Sequence, residues 1–136
     1  MPNDLLPLGL AIKRVQDRHH RSLDAALIEV GTTLAQWHAL RAIEMHPGSS
    51  SHRLAGLTFQ TDQSFGALAN RMVDRGLIRR VAGEGRAILH HLTPEGGKML
   101  AAGHAAAAQV LAASFAPLTK AERQQLQGLL AKLLAD

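Results

Sequence analysis

SSHRLAGLTFQTDQSFGALANRMVDRGLIRR, residues 50–80, reads as helix, tight turn, helix, strand, and the rest of the chain is organised around that reading. Leu54, Ala55 and Leu57 give a first helix a short apolar face. Thr58, Phe59 and Gln60 are too few for anything but a turn, and Thr61 can cap a second helix through its hydroxyl. At about 100° per residue, Phe65, Leu68, Ala69 and Met72 share one side of that second helix. Gln63, Ala67, Asn70 and Asp74 fall on the other, flanked by Gly66 and Arg71. One face anchors and the other is small and polar, which is the build of a recognition helix. Gln and Asn amides can pair with adenine edges, and Gly and Ala let the backbone approach the floor of a DNA groove.

The pattern extends beyond the two helices. Leu54, Ala55, Thr61, Ser64, Leu68, Arg71 and Met72 lead without a gap into Arg75-Gly76-Leu77-Ile78-Arg79-Arg80. Glu84-Gly85-Arg86 and Leu92-Thr93-Pro94-Glu95-Gly96 follow, and Leu34, Gln36, Trp37, Leu40 and Pro47-Gly48 precede. In this order the residues resemble the MarR family, the winged helix-turn-helix regulators named for multiple antibiotic resistance. Its members usually show Asp-x-Arg and then Leu-Thr-x-x-Gly at the last two places. No single piece is specific; the ordered set is.

The resemblance implies a mainly α fold with a small β-hairpin wing. A winged helix-turn-helix part over 31–93 would be flanked by dimerisation helices over 1–30 and 94–136. It implies a cytoplasmic homodimer on a pseudo-palindromic site in double-stranded DNA, acting as a repressor that a small aromatic or phenolic effector releases. It places Ser50, Thr61, Ser64 and Arg79 at the DNA beside Gln63, Gly66, Ala67, Asn70 and Arg71. Arg86 in the wing would reach the minor groove, with Glu84, two positions earlier, helping to hold it. A cavity between the first, second and fifth helices would be lined by Arg14, Arg18, His19, Trp37 and His38.

Composition bounds the same answer independently. A chain of 136 residues is one domain by length, and it buries roughly two thirds of its unfolded surface. The absence of cysteine excludes disulfides, thiolate metal sites and thiol redox sensing. The longest apolar run is far short of the roughly 20 residues of a membrane span. Met1-Pro2-Asn3-Asp4 lacks the basic-then-apolar layout of a signal peptide, so a soluble chain with no membrane partner is expected. The net charge is +4, and Arg71, Arg75, Arg79, Arg80 and Arg86 fall within sixteen residues against Asp74 and Glu84. The basic excess is concentrated where DNA is expected.

Taken in order, the first helix is expected from about Leu5 to Val30, with Pro7 in its first turn. Leu8, Ile12, Val15, His19, Leu23, Ala26, Leu27 and Val30 form a face expected to be buried, partly on a second subunit. Lys13, Arg14, Asp17, Arg18, Arg21 and Asp24 lie opposite. Gly31 ends this helix, and Thr33-Leu34-Ala35-Gln36 reads as a capping box for a second one that runs to about Met45. Ser49, Ser50 and Ser51 are candidate caps for the third. After Gly76 the period shortens towards two: Leu77, Ile78 and Val81 suit a strand, Gly83-Glu84-Gly85 a turn, and Ala87 to Leu92 the return strand. Thr93 and Pro94 open an alanine-rich helix that Pro117 stops, and Thr119-Lys120-Ala121-Glu122 is a capping box for a last helix. Its stripe of Leu126, Leu129, Leu130, Leu133 and Leu134 needs a cover.

Other function classes leave weaker marks. An enzyme needs groups converging in a pocket, and here the acidic residues scatter along helix surfaces with no phosphate cradle or nucleophile motif. No His-x-x-x-His or Glu-x-x-His pair sets two metal ligands on one face, so no metal or cofactor is expected. His19 reads as a satisfied core histidine before a ligand. A winged helix that binds only protein would have lost its groove-facing residues, whereas Gln63, Gly66, Ala67, Asn70 and Arg86 all suit DNA.

Overall fold

Hydroxyl caps start five of the six helices found among residues 4–136, the part of the chain that the computed structural model describes. Met1 to Asn3, read above for a signal peptide, lie outside the described residues. The order is α1 (Leu5–Glu29), α2 (Leu34–Met45), α3 (Ser51–Leu57), α4 (Asp62–Asp74), the strands β1 (Ile78–Ala82) and β2 (Ile88–Leu92), α5 (Pro94–Phe115) and α6 (Lys120–Leu134). Thr33, Ser50, Thr61, Thr93 and Thr119 each accept the backbone amide three residues on, which satisfies a donor the helix start would leave orphaned. Thr119 and Glu122 complete a reciprocal capping box. At Thr33 only half of the expected box forms, because Gln36 turns inward, where its Oε1 accepts from Thr32 and from Arg75.

Trp37, Leu40 and Ile43 of α2 form the centre of the core, joined by Leu54, Phe65, Leu68, Met72 and Ile78 from the motif and hairpin and by Leu100 of α5. The strands pair antiparallel with Ile78 opposite Leu92 and Arg80 opposite His90. Ser49 adds a single bridge to His90, which ties the loop before α3 to the outer edge of β2. Helix α5 lies close to its neighbours at two glycines. A Cβ on Gly96 would sit 1.9 Å from the Leu77 carbonyl, and one on Gly103 would sit 2.5 Å from the Trp37 ring.

Within one chain the first helix buries only part of its expected face, the rest being the part expected on a second subunit. Of its proposed apolar face only Leu27 is buried; His19, Leu23 and Ala26 are half-buried, and Leu8, Ile12, Val15 and Val30 are exposed. The reason is reach: the core of one chain covers only the C-terminal part of a 25-residue helix. Asp24, assigned to the charged side, is half-buried and accepts from the Leu34 amide at the start of α2. Helix α6 turns 104° away from α5 and buries no residue; Leu126 is half-buried, and Leu129, Leu130, Leu133 and Leu134 stay exposed. No single helix among the described residues is long and apolar enough to cross a membrane.

Candidate nucleic-acid interface

Four core side chains fix how α4 presents itself. Phe65, Leu68, Ala69 and Met72 are all buried, so the rotation of the helix is set and Gln63, Ala67, Asn70 and Arg71 point outward. Gly66 is half-buried beside them, with open space where a side chain would be. At the N-terminal end Thr61 and Ser64 are exposed; Thr61 caps the helix, and Ser64 donates to Gln60. Ser50 is the cap of α3, accepting from the Arg53 amide, so its hydroxyl already has a structural task. The two cap hydroxyls hold the frame on which the polar face is carried.

Alternation along β1 separates two arginines that the sequence runs together. Arg80 pairs across with His90 on the side that faces α4, and Arg79 pairs with His91 on the opposite side. Arg80, not Arg79, therefore reaches the recognition helix, where its Nη2 donates to Asn70 Oδ1 at 2.8 Å. Asn70 is thereby oriented through one Oδ1 lone pair, with its amide N–H groups free to donate. Arg75 also departs from the basic cluster: it donates 2.6 Å bonds to Gln36 Oε1 and to the Gly31 carbonyl, tying the end of α4 to the loop after α1. Arg71, Arg79 and Arg86 are exposed and take part in no ion pair among the described residues.

The wing is closed by Gly83 N–H donating to the Ala87 carbonyl and by Gly85 in the left-handed region at φ 63°. Arg86 and Glu84 are both exposed at its tip, and no ion pair joins them, so Glu84 does not hold Arg86 in the way the resemblance implies. A five-residue tip gives the two side chains no wall to fold against.

His90 is the buried polar residue on which the hairpin turns, and the sequence reading missed it. Its Nδ1–H donates to the Ser49 carbonyl at 2.9 Å, its Nε2 lies 3.4 Å from Ser51 Oγ, and its ring meets Phe65 of α4 edge-on. Burial holds the imidazole below its ordinary pKa; the bond to Ser49 opposes this, and Arg80 and His91 add to it. The one sequence signal was register, since a residue two from Leu92 on β2 must share its inward face.

The five residues proposed for one effector cavity do not converge. Trp37 is buried against Gly103 and between the rings of His38 and His104, and its Nε1 has no hydrogen-bond partner among the described residues. His38 lines a groove between α2 and the turn after α3, whereas Arg18 and His19 line another between α1 and α5. Arg14 is exposed and lines neither. His19 is a satisfied histidine, with Nε2 2.5 Å from Ser114 Oγ and its ring against Phe115. Within one chain only the C-terminal part of α1 meets the core, which sets Arg14 and Arg18 apart from Trp37.

Known proteins share this arrangement. A model of the MarR family matches residues 30–87. The HTH-type transcriptional repressor Rv2887 of Mycobacterium tuberculosis is 30% identical over 135 residues, which cover 98% of this chain and 97% of that protein. The chain is similar in structure to Rv2887 in complex with DNA, with a TM-score of 0.80 and 28% identity over 93% of this chain and 97% of that one. It is similar also to Rv2887 in complex with salicylic acid, with a TM-score of 0.78 and 29% identity over 93% and 96%.

Proposed function

The chain belongs to the MarR family of winged helix-turn-helix regulators, and from that premise we propose that it is a homodimeric repressor of transcription that binds a pseudo-palindromic DNA site and is released by a small aromatic acid. The observation that carries the reading is the rotation of α4. Its apolar residues are locked into the core, so Gln63, Ala67 and Asn70 can do nothing but face outward, beside an exposed wing arginine. Gln63 in the first turn meets a base edge in the major groove, and Gly66 and Ala67 allow close approach. Thr61, Ser64 and Arg71 contact phosphate, and Arg86 enters the minor groove from the wing. Arg79 takes a backbone contact from the outer side of the hairpin. Ser50 and Glu84 act through the frame, Ser50 as a cap and Glu84 as a charge at the wing tip.

The effector follows from Rv2887, which is crystallised both with DNA and with salicylic acid. An anion that binds near α4 and shifts the angle between protomers weakens DNA binding by as much as it prefers the DNA-free form. The test is selection of bound sequences from random duplexes. A two-fold-symmetric consensus with half-sites about one helical turn, ~34 Å, apart is expected, and no enrichment would overturn the reading.

A further inference from the structure

The groove that His38 lines lies apart from the one that Arg18 and His19 line. It has a volume of about 470 Å³, within the range of small-molecule sites, and it lies between the C-terminal half of α2 and the turn joining α3 to α4. Met45, Leu57 and Phe59 make its apolar walls, all exposed, and Phe59 is 98% exposed. Arg41 stands at its rim with His38 and His46, and Arg41 takes part in no ion pair among the described residues.

Phe59 is the unusual element. Its φ is 57°, the left-handed region that glycine adopts freely and a bulky residue rarely does. A strained aromatic that buries almost nothing contributes nothing to folding, and strain of this kind points to a function for the side chain. Beside it stands a guanidinium, whose planar fork suits a carboxylate. The walls are apolar and flat, the rim is cationic, and the volume suits one or two rings.

We propose that this groove binds a small aromatic carboxylate, its ring against Phe59, Met45 and Leu57 and its carboxylate on Arg41. An occupant held by Phe59 bears on the turn that sets α3 against α4, and so on how α4 meets DNA. This consequence rests on the proposed function and gives its effector a place other than the region of Arg14, Arg18, His19 and Trp37. The binding itself needs no DNA.

Calorimetric titration of the full chain with 1-naphthoate, without DNA, tests the site. Arg41→Gln and Phe59→Gly are each expected to weaken binding about tenfold or more. Phe59→Gly is also expected to raise the melting temperature, because glycine relieves the strained φ, so its loss of binding cannot be loss of fold. Wild-type protein that binds no naphthoate, or an affinity unchanged in either variant, overturns the site. A chain that binds naphthoate in this groove but enriches no DNA overturns the proposed function and leaves the site standing. A chain that enriches a symmetric DNA site but ignores naphthoate overturns the groove alone.

Discussion

Asn70 shows how one hydrogen bond changes what a side chain can read. With one Oδ1 lone pair taken by Arg80, the amide is oriented with its N–H groups free to donate, and it suits an acceptor such as guanine N7 or O6 as well as adenine N7. Arg80→Ala frees the amide, and the selected consensus is expected to broaden at one base position in each half-site; an unchanged consensus would show that Asn70 reads nothing through this contact. Gln63→Ala is expected to cost roughly 1–3 kcal/mol on the preferred site and little on scrambled DNA. Arg86→Ala is expected to weaken both and to lower the log–log salt slope by about one. Kd values on both duplexes across a salt series separate the two; equal losses for Gln63→Ala would mean that α4 sits differently on DNA. His90 adds a pH dependence. Its pKa is depressed on folding, so the unfolded chain binds the proton more readily, and stability is lost as pH falls below about 6.5. The slope from this residue is at most about 1.4 kcal/mol per pH unit, and denaturant midpoints between pH 7.5 and 5.5 should be flatter in His90→Gln. That Asn70 and Gln63 face outward was legible in the 3.6-residue period. That Arg80 reaches Asn70 and that His90 packs against Phe65 was not, because those contacts join the hairpin to helices distant in sequence.

At the scale of elements, local chemistry was legible and distant chemistry was not. The caps at Thr33, Thr61, Thr93 and Thr119 depend on residues within three positions, and the sequence alone placed them. Asp24 on Leu34, Gln36 on Arg75 and the inward histidine of β2 join segments that meet only after folding, so spacing carried no sign of them. Gly96 belongs to this second class. In sequence it is a poor helix former near the start of α5; in the fold it is where that helix passes the Leu77 carbonyl. Gly96→Ala is expected to destabilise by about 1–3 kcal/mol through overpacking. Gly97→Ala, one residue on with nothing within 4 Å of its added Cβ, is expected to stabilise by about 0.5–1 kcal/mol through helix propensity alone. Urea midpoints for the two variants check this, and equal effects would mean that α5 is free to shift away from β1.

The whole molecule leaves too much apolar surface wet to stand alone. Leu5, Leu6, Leu8, Leu10, Ile12 and Val15 are exposed on α1, and Leu129, Leu130, Leu133 and Leu134 are exposed on α6. These are α1 and α6, and among the described residues no other element covers those side chains. Two helices that each expose so many large apolar side chains mark an interface, and a two-fold pair buries them on both protomers. Charged substitution there should therefore act on assembly before it acts on folding, because none of these side chains is in the core. Sedimentation velocity at micromolar concentration is expected to give about twice 14.6 kDa for the wild type. Leu129→Glu combined with Leu133→Glu is expected to give a helical monomer that still binds one half-site weakly but no longer prefers two half-sites at one-turn spacing. A folded wild-type monomer at that concentration would remove the interface, and with it the geometric reason for a palindromic site.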